Sequence, residues 1–139
     1  MSNQEKLKEL ESTLNDTQTE EGLSFSAEII PGEVDVLQVT VQDREEFPIY
    51  ITTDDSQILC VTHLWQESEV KKELREELLD ALLTMNVPMP LSSFSKVGNQ
   101  YILFGALTST SSIEDIQYEI SVLSENTLDA IEAINDYLK

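Results

Sequence analysis

The sequence predicts an α+β fold, an antiparallel sheet with helices packed on one face, in the order α-β-β-β-β-α-β-β-α. Three observations predict it. Segments whose apolar residues recur at three and four positions stand at both ends and in the middle of the chain. Between them lie short runs that alternate apolar and polar residues or are apolar throughout, bounded by turn-forming residues. The 139 residues are 40% hydrophobic, which suits one core, since a single core usually serves about 100–200 residues. Residues 1–139 are therefore read as a single α+β domain.

Ser2 and Glu5 have the spacing of a capping box, and Leu7, Leu10 and Leu14 follow at three and four, so a helix opens the chain. Asn15 to Glu21 is polar and runs into Gly22, which reads as a loop. From Leu23 to Ile29 the odd positions are apolar and the even ones polar, a half-buried strand stopped at Pro31-Gly32. A second strand covers Val34 to Val41. Val36-Leu37 breaks its alternation, and a bulge there would restore the phase. After the acidic turn Asp43 to Glu46, the segments Ile49–Thr52 and Gln57–Trp65 flank Thr53-Asp54-Asp55-Ser56 as a hairpin, with Pro48 where the strand begins. Ile58-Leu59-Cys60-Val61 is apolar on both faces. Such a run belongs at the centre of a sheet, with a helix on one side and something else, such as a second subunit, on the other.

Ser68 is expected to cap a helix that carries Val70, Leu74, Leu78, Ala81, Leu82 and Met85 on one side and ends at Pro88 and Pro90. Phe94–Lys96 and Gln100–Leu107 form a further hairpin about Val97-Gly98-Asn99. Tyr101 to Leu107 is again apolar throughout, and Gly105 signals a bulge or a close backbone approach. The last helix begins at Ser112, with Asp115 three residues on. Ile113, Ile116, Ile120 and Leu123, then Ile131, Ile134 and Leu138, keep its spacing, but Thr127 falls between the two groups, so a bend or break is expected near Asn126.

Charge removes several function classes. With 27 acidic residues against 8 basic ones, the formal net charge is −19. Phosphate backbones need Lys and Arg to displace their counterions, and anionic headgroups need the same, so neither nucleic acid nor direct membrane insertion or surface binding is expected. The charge either keeps the chain soluble or complements a basic partner, which speeds encounter more than it deepens affinity. A lone Cys60 permits no internal disulfide, the opening MSNQEKLKEL lacks the apolar stretch of a signal peptide, and no run approaches the roughly 18–20 apolar residues that span a bilayer. The cytoplasm is the expected compartment.

No catalytic, cofactor or metal-binding constellation emerges. His63 is the only histidine, in a strand, three residues from Cys60, so the two side chains point to opposite faces. One Cys and one His cannot make a structural zinc site, and Asp54-Asp55-Ser56 lacks the alternating ligands of a calcium loop. The four glycines, at 22, 32, 98 and 105, stand singly and cradle no phosphate. Ser109-Thr110-Ser111-Ser112 reads as a loop that ends in a helix cap. What is left is surface for binding. The candidate interface comprises Trp65 and His63 on one two-sided strand, Tyr101 on the other, Phe94 beside it, and the adaptable Met85, Met89, Pro90 run.

Val87-Pro88-Met89-Pro90-Leu91-Ser92-Ser93-Phe94, Tyr101-Ile102-Leu103-Phe104-Gly105-Ala106-Leu107 and Ser111-Ser112-Ile113-Glu114-Asp115-Ile116 resemble the YjfI-like family of uncharacterised bacterial proteins. The resemblance runs over nearly the whole chain. Its members are often encoded beside homologues of phage-shock protein A, a membrane-remodelling coiled-coil protein, which implies an envelope-stress setting and such a homologue as partner. It implies no catalytic residues. The element order is also similar to that of class I type III secretion chaperones, small acidic dimeric α+β proteins that hold extended client segments. That similarity of architecture implies a dimeric binding module. The expectation is thus a non-enzymatic interaction module, an adaptor or chaperone-like homodimer for a basic or amphipathic protein segment. The alternative is an enzyme with an unrecognised carboxylate site, recognisable by a cleft holding acids of strongly raised pKa.

Overall fold

The Ser2 hydroxyl accepts from the Glu5 N–H, and the helix it starts, α1 (Asn3–Asn15), buries Leu7, Leu10 and Leu14. The computed structural model describes residues 2–19 and 21–139. The loop expected before Gly22 is present, with Glu20 outside the described residues. Four strands follow as a meander: β1 (Phe25–Ile30), β2 (Val36–Val41), β3 (Ile49–Thr53) and β4 (Gln57–Gln66). Then come α2 (Arg75–Asn86), the hairpin of β5 (Ser93–Val97) and β6 (Gln100–Thr108), and α3 (Ile113–Ile134). β6 enters beside β4, which gives one antiparallel six-stranded sheet in the order β1-β2-β3-β4-β6-β5. The predicted element order holds throughout.

Register fixes which face each side chain takes. Ile51 stands opposite Cys60, and Cys60 opposite Gly105. These positions, with Leu37, Val39, Ile49, Ile58, Thr62 and Leu103, point toward the helices and are buried. On that side α1 lies on β1 and β2, α3 on β4 and β6, and α2 on β5. This is the core.

Three local expectations are corrected. β2 begins at Val36, paired with Ile30, and alternates regularly to Val41, so no bulge is needed at Val36-Leu37. The register shifts instead in β4, between His63 and Gln66. Ser68 does not cap α2. Val70 bridges to Leu138 and the Lys71 N–H donates to the Tyr137 carbonyl, which keeps this stretch extended between short 3₁₀ turns, and the helix starts only at Arg75. Finally, α3 does not break and runs continuously from Ile113 to Ile134. The Thr127 hydroxyl donates to the Leu123 carbonyl (2.7 Å), and Asn126 Nδ2 donates to the Pro90 carbonyl (2.8 Å) and Ser92 Oγ (3.0 Å). Both polar residues are satisfied without opening the helix.

Both sheet edges are guarded by side chains of the helices beside them. On β1, Asn15 Oδ1 accepts from the Ala27 N–H, Asn15 Nδ2 donates to the Ala27 carbonyl, and Glu11 accepts from the Ile29 N–H. On β5, Asn86 Oδ1 accepts from the Phe94 N–H. An open edge invites pairing with another chain, so these bonds steer recognition away from strand addition. Asn15→Ala is expected to cost about 1–2 kcal/mol, because it leaves two backbone groups of β1 without partners. A shift of the urea midpoint at unchanged slope would show this, and an unchanged midpoint would refute it.

Candidate interaction surfaces

Alternation places a second set of side chains on the face away from the helices. Tyr50 pairs across to Val61, Val61 to Phe104 and Phe104 to Ser93, a continuous row over β3, β4, β6 and β5. Beside it run Leu59 with Ala106 and His63 with Ile102. Leu59, Val61 and Phe104 are half-buried, and Ile102, though only 8% exposed, lies outside the main core cluster. Cross-strand neighbours shelter one another here without a layer above them. The His63 ring sits 5.4 Å from the Tyr50 ring, exposed on this face.

The face is unusual in charge as well. Of the outward strand positions, Glu28 alone carries a carboxylate, and none carries Lys or Arg. In a chain of net charge −19, such a face repels an approaching acidic molecule less than a carboxylate-bearing one would.

The structure divides the residues singled out from the sequence. His63 is on the open face. Trp65 is not, because the irregularity in β4 turns it to the helix side, where it is 2% exposed. There it stacks on Tyr101 (5.5 Å between rings) and meets Phe94 (6.5 Å), both buried. These three form core packing, and none of them stands on the open sheet face. No acceptor among the described residues reaches Trp65 Nε1. Met85 and Met89 are half-buried against the core, and Pro90 is exposed in the connection after α2. Leu59, Val61 and Phe104 belong to the two-sided runs but were not singled out within them, and the members out of phase with Cys60 are the ones that face outward. Tyr50, on β3, lies in neither run and was missed.

Glu67 Oε1 accepts from Arg75 Nε (3.1 Å) and Nη2 (3.0 Å), from Lys96 Nζ (2.7 Å) and from the Tyr101 hydroxyl (3.2 Å). The Arg75 and Lys96 hydrogen bonds hold its carboxyl down at about 2. It borders a cavity of about 700 Å³ that Lys72 and Lys139 also line. A depressed carboxyl is the opposite of what a general acid needs. Burial pushes the Cys60 thiol up to about 12, with the Glu119 carboxylate adding to it, so this thiol is packing rather than nucleophile. Glu119, 4% exposed on α3, is itself raised by desolvation. Among the described residues, no three His, Cys, Asp or Glu side chains gather to hold a metal, and no helix is long and apolar enough to cross a membrane.

Comparison with known proteins accords with this geometry. The model of a family described as "Uncharacterized protein conserved in bacteria (DUF2170)" matches residues 4–138. The "Uncharacterized protein YjfI" of Escherichia coli (strain K12) and that of Escherichia coli O157:H7 are each 34% identical over 105 residues, 73% of this chain and 77% of theirs. The crystal structure of the ExsC-ExsE complex contains a chain that aligns with a TM-score of 0.51 at 12% identity, over 98% of this chain and 95% of that one. That likeness is one of fold, and it agrees with the secretion-chaperone-like architecture expected from the order of elements.

Proposed function

The chain belongs to the DUF2170 family, and from that premise we propose that it is a non-enzymatic, chaperone-like interaction module that pairs with a second copy of itself through the open sheet face. The uncharged apolar row Tyr50–Val61–Phe104 on a chain of net charge −19 carries this reading. Stable interfaces bury roughly 1,200–2,000 Å² in total, and a sheet face is flat enough to supply such an area by packing on its copy at about 10 Å. The finer setting belongs to the same proposal: a cytoplasmic adaptor in bacterial envelope stress, holding a basic or amphipathic segment such as one from a phage-shock protein A homologue. The family resemblance supports that setting, and the acidic surface supports the choice of segment.

Sedimentation equilibrium at micromolar concentration tests the pairing. Wild type is expected to run as a dimer, and Val61→Lys as a monomer with unchanged circular dichroism, since a lysine here would be buried opposite its own copy. A monomeric wild type, or a dimer that tolerates Val61→Lys, would sink the reading.

A further inference from the structure

The two most exposed large apolar side chains among the described residues, Val87 (89%) and Leu83 (72%), stand one turn apart at the end of α2. Leu79 lies one turn before them. Between this stripe and β5 opens an apolar groove of about 250 Å³, lined by Leu79, Leu82, Leu83, Phe94, Tyr101 and Lys96, whose ammonium is held by Glu67. The connection that follows places Leu91, 55% exposed, at φ 64°, a left-handed conformation that a leucine adopts only under constraint. The core does not cover Leu83, Val87 or Leu91; α2 meets it through Leu78, Leu79, Leu82 and Met85.

Charge says what covers it. The helix places Glu76 and Asp80, both exposed, on the same side as Leu79, Leu83 and Val87, at spacings of three and seven residues. A second copy laid here would set these carboxylates against their own images, while the open sheet face offers that copy a surface with a single acid. We infer that the α2–β5 groove docks a basic amphipathic helix of another protein, whose apolar ridge fills the space between Leu83 and Phe94 and whose Lys or Arg flanks meet Glu76 and Asp80. This names the client site of the binding module proposed above and rests on that reading. A helix suits better than an added strand, because the stripe repeats at helical spacing and the Phe94 N–H is already taken by Asn86.

The test is fluorescence anisotropy of the full chain with a labelled helical peptide of leucine and lysine only, leucines at i, i+3, i+4 and i+7. A scrambled peptide of the same composition and a leucine–glutamate analogue serve as controls. Binding to the patterned peptide alone is expected. The combined Leu83→Ser, Val87→Ser variant, altered only at exposed positions, should weaken it about tenfold or more. The combined Glu76→Lys, Asp80→Lys variant should lose it and gain the leucine–glutamate peptide. Equal binding of the scrambled peptide would reduce the effect to general attraction by an acidic chain and overturn the inference. So would absence of binding, or full affinity in the Leu83→Ser, Val87→Ser variant. If that variant instead turns dimer into monomer, a second copy occupies the groove and the inference also fails. Failure of sheet-face pairing is read separately, from the mass of Val61→Lys, which should keep its peptide affinity.

Discussion

Gly105→Ala is expected to destabilise the protein by about 2–3 kcal/mol, the range for forcing an extra carbon into a packed interior. A Cβ built at Gly105 would lie 1.9 Å from Glu119 Oε1, 3.0 Å from its carboxyl carbon and 3.2 Å from the Leu91 carbonyl oxygen. The backbone is held in place, since Gly105 pairs with Cys60 on β4, an interior strand of the sheet. Nor can the carboxyl swing freely, because Glu119 is 4% exposed. In a Glu119→Ala background the same change should cost less than half as much, and a double-mutant cycle by urea denaturation measures that coupling. Equal costs in both backgrounds would show that the Leu91 carbonyl, and not Glu119, sets the glycine requirement. Glu119 adds a pH signature. Burial raises its pKa above the ordinary 4.5, so the folded chain holds the proton more tightly than the unfolded one. The stabilisation is complete below about 4.5 and is lost as pH rises through the folded value. Glu119→Gln should therefore be more stable than wild type at neutral pH, with the advantage fading toward pH 4.5.

The order of elements was legible because spacings of three-four and of two are set by local geometry. The errors come mostly from partners distant in sequence and in one case from a local hydrogen bond. Nothing near Ser68 announces that Val70 pairs with Leu138, which delays α2 to Arg75. Thr127 interrupts an apolar stripe, yet its hydroxyl returns to the Leu123 carbonyl, and Asn126 spends its amide on Pro90 and Ser92, so α3 stays whole. The open sheet face was legible as a region but not as residues. The two-sided runs revealed a covered and an uncovered face, but a register shift in β4 decided that Trp65 joins the core while Val61 faces outward. Gly105 offered a bulge or a close approach from sequence. Only the docking of α3 brings Glu119 over it and selects the second.

Glu67→Ala is expected to cost about 2 kcal/mol, since hydrogen bonds to charged groups contribute about 1.5–3 kcal/mol and these are partly exposed. One oxygen gathers Arg75 from the start of α2, Lys96 from β5 and the hydroxyl of buried Tyr101. Removing it leaves two cations facing each other and the phenol without its acceptor. Tyr101→Phe should cost less, because Glu67 then keeps both cations. The pH dependence has the opposite sign to that of Glu119. With a folded pKa of about 2 against an ordinary 4.5, Glu67 stabilises fully above about 4.5 and loses its contribution as pH falls toward 2. Glu67→Gln should thus flatten the stability profile in that window relative to wild type, the remaining carboxylates titrating alike in both. An unchanged slope between pH 4.5 and 2 would remove Glu67 from the account. The consequence reaches the groove. Lys96 lines it from β5, and α2 forms its other wall. The carboxylate that ties both together sets their spacing, so Glu67→Ala should weaken the leucine–lysine peptide although Glu67 does not line the groove. That loss should appear in the dissociation rate, because Glu76 and Asp80, which steer the encounter, are untouched.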